Sequence, residues 1–421
     1  MNNFTTNTYE MKREISNFSK KIAKGLNKPT SKFVMDMQYG LAKSGSCLVS
    51  ETSRALDEEI KLSYTIERLC DNLANLYPEE KQIIWNNYLE EVKKNVDKEN
   101  AIVLFDDSDI NKEYSKKLED LDKVLDGSSQ DKKTVNGYHV CEATILTKNE
   151  KQPMSIYSKI YSCKSKNFVS KNKYTLESIK AAENVVGNDF IGIFDRGYDD
   201  NKLFNYMSEN GHKFVIRLDD ERTLLFKGKK RSVKEVADLR KGKIKMTALF
   251  DDNEEVELMI SYTKAVLPYN KKEYTLVIVY GLSEEKPMKL LTNLEYAEKE
   301  DVIKIVRLYL SRWRIEEHFR GKKQEYDFEN IRVRTLESMN NLNIMLTVHL
   351  GHIAILADKI NKNLLILKII YASKSLKDKS IVWLSQIARG IKAILAYAHS
   401  GIKQWQDIEI KEEYKQLSLR I

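Results

Sequence analysis

Two short runs carry no polar side chain: Ala-Ile-Val-Leu-Phe over 101–105 and Phe-Ile-Gly-Ile-Phe over 190–194. Each is followed at once by an aspartate, Asp106 and Asp195. A strand with one wet face alternates apolar and polar residues, so an unbroken apolar run fits a strand covered on both faces. The carboxylate after each run then falls at a strand end, where active sites of open α/β sheets collect.

The periodicity around these runs places further elements. Residues 1–95 read as helical. Lys32 to Lys43 and about Ser50 to Leu62 form two helices around Ser44-Gly45-Ser46, a pattern like a helix-turn-helix and equally like any helix pair joined through glycine. Gly137 to Thr147 and Met154 to Ile160 are two strands of a meander that turns at Lys148-Asn149-Glu150-Lys151. Thr175 to Val186 is a helix with Thr175 as its cap, and Asn201 to Asn210 a helix ended by Gly211. Strand, strand, strand, helix, strand, helix is the order of a ribonuclease-H-like α/β layer. Six short strand-like segments follow, His212–Leu218, Thr223–Phe226, Lys243–Phe250, Glu255–Tyr262, Tyr274–Tyr280 and Met288–Thr292, with one short helix at Val233–Leu239. From Asp301 the chain is helical, with a break near Ala372-Ser373-Lys374. The expected class is α/β: a ribonuclease-H-like domain over 96–211 and 301–358, a β-rich insertion over 212–300, and helical regions at 1–95 and 359–421.

Residues 309–323 place Tyr309, Arg312, Glu316 and Lys323 at offsets of three, four and seven. On one helix the first three share a face, and Lys323 returns to it two turns later. An amphipathic helix keeps apolar residues at this spacing. Here the face carries a hydroxyl, two cations and a carboxylate. Arg312 and Lys323 suit phosphates. Hard divalent cations take oxygen ligands, so two strand-end aspartates and a helix glutamate can make a two-metal phosphoryl-transfer site. Taken singly, each feature has a plainer reading: Asp106-Asp107-Ser108-Asp109 as an acidic turn, Asp195 as a turn residue beside Arg196 and Gly197, and the helix as a charged solvent face.

The 421 residues carry 70 Lys and Arg against 62 Asp and Glu, a formal charge of +8 that fits a polyanionic partner without requiring one. From Glu10 to Lys43 eight cations stand against three acids. None of Cys47, Cys70, Cys141 and Cys163 pairs as Cys-x-x-Cys, which argues against a structural zinc site and for a reducing, cytoplasmic compartment. The start of the chain is polar and no run of about eighteen apolar residues occurs, so neither a signal peptide nor a membrane span is expected. His349 and His352, three apart on a helix, read as a packed face or a metal pair lacking a third ligand. Trp383 to Ile410 reads as an amphipathic segment that caps the catalytic part or pairs protomers.

The spacing Tyr-x2-Arg-x3-Glu-x6-Lys, met at Tyr309, Arg312, Glu316 and Lys323, resembles the signature of IS4-type insertion-sequence DDE transposases. Arg312-Trp313-Arg314-Ile315-Glu316-Glu317 extends the likeness, Asp106-Asp107-Ser108 resembles the first-aspartate motif and Asp195-Arg196-Gly197-Tyr198 the second. The resemblance covers roughly residues 100–350. It implies Mg2+-dependent cleavage at transposon ends and strand transfer into target DNA. Two Mg2+ ions, replaceable by Mn2+, would be held by Asp106, Asp195 and Glu316; Asp107 leaves the first assignment open. Tyr309, Arg312 and Lys323 would bind end phosphates, and Trp313 would pack in the core or against a base. The partners implied are double-stranded DNA, as terminal inverted repeats and target, and a second copy of the chain, with residues 1–95 binding the ends and the protein near a bacterial nucleoid. Some relatives stack a Trp of the insertion on a flipped base. No Trp stands between Asp195 and Arg312, which leaves Tyr262, Tyr269, Tyr274 or Phe250 for that role. Rival readings are a related nuclease that cannot join strands and a catalytically silent DNA-binding descendant.

Overall fold

A computed structural model describes residues 2–125, 133–149, 152–249, 255–282, 286–360, 363–374, 383–398 and 401–402. Five helices lead the chain: α1 (Asn2–Ile22), α2 (Lys28–Ser44), α3 (Val49–Leu56), α4 (Leu62–Ala74) and α5 (Pro78–Lys94). The next elements are β1 (Ala101–Asn111), β2 (Asp122–Leu125), β3 (Thr134–Leu146), β4 (Pro153–Tyr161), α6 (Lys171–Val186), β5 (Phe190–Phe194), α7 (Asn201–Glu209) and β6 (Lys213–Arg217). Strands β4, β3, β1, β5 and β6 stand side by side. The first three are antiparallel; β1 and β5, then β5 and β6, are parallel. A meander followed by two crossovers through α6 and α7 is the ribonuclease-H-like arrangement expected. The apolar run of β1 is buried at all of Ala101–Phe105, and burial breaks at Asp106. Phe105 stacks on Phe194 with ring centroids 4.4 Å apart, so the two aspartate-bearing strand ends share one aromatic contact.

The insertion does not fold apart from this layer. It comprises β7 (Thr223–Phe226), β8 (Lys229–Ser232), α8 (Val233–Asp238), β9 (Ile244–Leu249), β10 (Glu255–Val266), β11 (Glu273–Tyr280) and β12 (Met288–Thr292). Strand β12 pairs antiparallel with β6 and carries the sheet on through β11 and β10, so all twelve described strands form one sheet. Strand β6, which the sequence grouped with the insertion, is the fifth strand of the core. Two strands escaped the sequence. Strand β2 is four residues long, and β8, Lys-Lys-Arg-Ser, is too polar to read as one. Strand β8 exists because Lys227 and Gly228 both take the left-handed conformation that a tight hairpin needs.

Helices α9 (Lys299–Leu310), α10 (Trp313–Arg320), α11 (Leu336–Ala357), α12 (Leu364–Ala372) and α13 (Leu384–Leu395) close the chain. The single helix expected through 309–323 is broken twice. Ser311 donates its hydroxyl to the Leu308 carbonyl at 2.6 Å and the Arg312 amide bonds to Tyr309, which tightens the turn before α10. After Arg320 the chain widens into a π turn over Gly321–Glu325. Helix α6 begins four residues before the expected Thr175, because Ser170 accepts the Lys173 amide and serves as the cap.

Helix α2, the first of the helix pair around Gly45, is buried along most of its length and packs on α1, α3, α11 and α13. Gly45 takes the left-handed conformation (φ 60°) that ends it. Several N-terminal cations are tied internally: Lys32 and Arg68 hold Asp36 and Glu58, and Lys21 holds Glu91. Ile387, Ile391, Ile394 and Leu395 of α13 are buried within the chain, so this helix caps the helical core. Trp405 and Ile410 lie outside the described residues, as do Phe250 and the meander-turn residues Glu150 and Lys151.

Candidate active site

Asp106 leaves the covered part of β1 with its side chain 18% exposed. An Arg312 terminal nitrogen donates to Asp106 Oδ2 at 2.9 Å, the other donates to Glu316, and Arg312 Nε lies 3.9 Å from Asp195 Oδ1. One guanidinium therefore meets all three acids. The Tyr309 hydroxyl donates to Asp195 Oδ1 at 3.0 Å, and an Arg217 nitrogen stands 3.9 Å from the same oxygen. The break before α10 separates Tyr309 on α9 from Arg312 and Glu316, yet all three reach the strand ends, though no single helix carries them. Lys323 does not join this cluster. Its ammonium lies 3.1 Å from Glu329 and 3.8 Å from Asp109 of β1. Trp313 is partly buried against the hydrophobic core. Successive residues of a strand point to opposite faces, so Asp107 leaves the side that Asp106 uses.

Burial, opposed by Arg312 and seconded by Asp195, pushes the Asp106 carboxyl up to about 7. Burial acts the same way on Asp195, but Arg312, the Arg196 amide, Tyr309 and Arg217 outweigh it and hold that carboxyl below its ordinary value. Burial raises the Tyr309 hydroxyl, and the neighbouring Asp195 adds to it. The guanidinium of Arg312 is held charged: burial works against its charge, and Asp106 and Asp195 more than compensate. Three carboxylates share one monovalent cation, and the donors are all oxygen, which fits a hard divalent cation of the Mg2+ or Mn2+ class. The acids are spread around the guanidinium. Among the described residues, only Asp122, His139 and Cys163 bring three ligand atoms within 4.8 Å of one another.

Beneath α10 lies a buried polar cluster the sequence did not reveal. Glu142 of β3 is fully buried and accepts from Lys322 Nζ at 2.7 Å and from the Ser158 hydroxyl at 2.7 Å, while His318 Nε2 stands 3.0 Å from its other oxygen. Lys322 Nζ also donates to Asn343 at 3.3 Å. His318, which could have faced DNA or solvent, is wholly buried here. The available signal was a lone glutamate in Val-Cys-Glu-Ala-Thr-Ile-Leu and two basic residues four apart on α10 and its π turn. His349 meets the Tyr326 hydroxyl at 2.9 Å and His352 stacks on Phe18 at 4.1 Å, which is a packed helix face.

Of the insertion aromatics, Tyr262 packs edge-on against Tyr296, and Tyr274 is buried with hydrogen bonds to Ser208 and Asn270. Tyr269 is 61% exposed.

The ribonuclease-H-like layer and the strand-end acids gathered by Arg312 define an α/β protein with an acidic site suited to phosphoryl chemistry. The chain belongs to the family described as transposase DDE domain, whose model matches residues 98–350, and is a DNA transposase. Among solved structures it is similar to the piggyBac transposase in a synaptic complex with hairpin DNA, seen by cryo-EM, at 12% identity and a TM-score of 0.44, over 94% of this chain and 81% of that one. No curated protein sequence matches the chain. No described helix is long and apolar enough to cross a membrane.

Proposed function

We propose that this protein is an IS4-type insertion-sequence transposase that cuts its element out at terminal inverted repeats and joins the freed ends to target DNA. The observation that carries the reading is the meeting of Asp106, Asp195 and Glu316 around Arg312. In this reading those acids hold two Mg2+ ions. Bound there, the ions supply Lewis-acid activation of a water and then of a 3′ hydroxyl, and steady the leaving oxygen. The chain's own residues do the rest. Tyr309 fixes the orientation of Asp195. Arg312, released from the acids, turns its fork of donors to an end phosphate. Lys323, braced by Asp109 and Glu329, offers a second positive contact. Tyr269 stacks on a base beside the cleaved end, since its ring is the exposed one among the described candidates. The exposed basic side chains Lys20 of α1, Lys24 of the turn that follows it and Lys28 at the start of α2 contact the backbone of the terminal repeat. A second protomer holds the other end.

The test uses end-containing DNA with Mg2+, and precut ends for joining. Asp106→Ala, Asp195→Ala and Glu316→Ala are each expected to abolish nicking and joining while end binding persists. Retained cleavage in any one removes that residue from the site. Cleavage without joining of precut ends would instead favour a nuclease. Inverted repeats flanking the coding region, bracketed by a short direct duplication, are the expected genomic context.

A further inference from the structure

Asp122, His139 and Cys163 come together where two strands meet end to end. Strands β2 and β4 lie along the same edge of β3: Asp122 is opposite Gly137, and Tyr161 is opposite His139. Cys163 follows two residues after Tyr161, at the turn that faces the start of β2. One ligand atom from each of the three side chains lies within 4.8 Å of the others. His139 Nε2 stands 3.8 Å from Asp122 Oδ2, too far for a hydrogen bond between them. Two ligands about 2 Å from one tetrahedral ion stand a little over 3 Å apart, so a small inward movement would seat an ion between them.

The rest of the site is held ready. Asp122 Oδ2 accepts the Cys163 amide at 2.6 Å, which fixes the turn beside the carboxylate, and Asp122 Oδ1 accepts the Lys123 amide at 2.8 Å. The His139 ring stacks on Tyr161 at 5.2 Å, and Tyr161 stacks in turn on Tyr174 at 4.3 Å. Cys163 is exposed, so an ion has a path from solvent. Gly137 lets β3 lie close against β1 beside the site: a Cβ there would lie 2.4 Å from the Ile110 carbonyl.

We propose that Asp122, His139 and Cys163 form a site for a borderline-soft divalent cation of the zinc class, separate from the oxygen-only acids at Asp106, Asp195 and Glu316. Sulfur, imidazole nitrogen and one carboxylate oxygen select Zn2+ or Co2+ over Mg2+. The ion would tie the end of β4 to the start of β2. His139 is opposite Asp109, three residues and roughly 10 Å along β1 from Asp106, so the clamp steadies the strand that bears the first acid.

The experiment takes the full chain, stripped of metal by chelation and titrated with Co2+. A thiolate-to-cobalt charge-transfer band saturating at one equivalent is expected. It is lost in Cys163→Ser and in His139→Gln, with far-UV circular dichroism unchanged. It is retained in Cys70→Ser, and also in Asp195→Asn and Glu316→Gln, whose oxygen ligands give no such band. Zn2+ is expected to protect Cys163 from iodoacetamide, as read by peptide mapping. Absence of the band, its survival in Cys163→Ser, or Cys163 alkylation at the same rate with and without Zn2+ overturns the site. None of these readings depends on DNA cleavage, so the site and the transposition reading stand or fall separately.

Discussion

Asp106 and Glu142 are direct partners across β1 and β3, and their carboxyls titrate far apart. Burial pushes Asp106 up to about 7, whereas Glu142, although fully buried, is brought down to about 2 because Lys322 and His318 outweigh its desolvation. The difference is one of partners. Glu142 has an ammonium to itself, while Asp106 shares a single guanidinium with Asp195 and Glu316. One member of the pair is a finished structural ion pair. The other is short of positive charge, as a ligand awaiting a divalent cation is.

That shortage gives Asp106 a measurable pH signature. Its folded carboxyl titrates above its ordinary value of 3.8, so the contribution to stability is full below about pH 4 and is lost as pH rises through about 7. Without metal, Asp106→Asn is expected to stabilise the fold at pH 8, by about 1–2 kcal/mol after allowance for solvent at the partly exposed side chain, and by little at pH 5. Mg2+ should raise the melting temperature of the wild type and leave that of the variant nearly unchanged. Thermal melts at both pH values, with and without Mg2+, check this; a variant less stable at pH 8 than at pH 5 relative to wild type contradicts it.

Nicking should follow the same group. A carboxylate must lose its proton to take a metal, so Mg2+-dependent nicking is expected to climb between pH 6 and pH 8 with an apparent midpoint near the Asp106 value of about 7. Raising Mg2+ should move that midpoint down. A profile that ignores Mg2+ concentration assigns the pH dependence to another group.

The Glu142–Lys322 pair fixes α10 and its π turn to the sheet. Lys322→Met leaves the buried Glu142 carboxylate without its ammonium, which costs about 3–5 kcal/mol. Glu142→Gln together with Lys322→Met should cost clearly less than the sum of the two single changes, because the double variant strands no charge. Urea denaturation of the four proteins provides the coupling energy. A value near zero would show that the pair does not act as a unit.

The strands that end in Asp106 and Asp195 were legible because burial on both faces forbids polar residues, and Ala101–Phe105 and Phe190–Phe194 obey that rule. The acidic ends were legible for the same reason: the pattern breaks at Asp106 and Asp195. Other features depend on distant parts of the chain. Glu142 looked like an ordinary strand residue because its partners, Lys322 and His318, lie roughly 180 residues away. The breaks around α10 left no mark in the helical period, since Ser311 and Gly321 are tolerated inside helices; a Cβ at Gly321 would fall 2.3 Å from the Leu384 side chain of α13. Strand β8 is charged because it lies at the edge of the sheet, where side-chain polarity guards against stray pairing.

Tyr309 separates positioning from phosphate binding. Tyr309→Phe removes the hydrogen bond to Asp195 and should cost the fold about 1 kcal/mol, the net worth of one such bond. If the hydroxyl orients Asp195, nicking falls about tenfold, a change equivalent to 1.4 kcal/mol, and extra Mg2+ restores part of it. If it serves mainly a DNA phosphate, end affinity falls and added Mg2+ does not help. Mg2+ titrations of nicking, alongside gel-shift affinities, distinguish the two.

On the proposed reading, Arg312 would compete with the metals for the same acids. In the present arrangement it donates to Asp106 and Glu316 directly and stands 3.9 Å from Asp195. A divalent ion entering among those carboxylates meets this guanidinium first. Arg312→Ala removes the competitor and leaves three carboxylates facing one another, so the metal-free fold should weaken by about 1–3 kcal/mol while Mg2+ binds about tenfold more tightly. Nicking should nonetheless fall by 100-fold or more, since the phosphate loses its fork of donors. Arg312→Lys should recover end binding in part and nicking poorly, because an ammonium cannot bridge several oxygens as a planar guanidinium does. Isothermal titration with Mg2+ is the decisive measurement. Weaker Mg2+ binding in Arg312→Ala would mean that the guanidinium organises the acids for the metal instead of standing in its place.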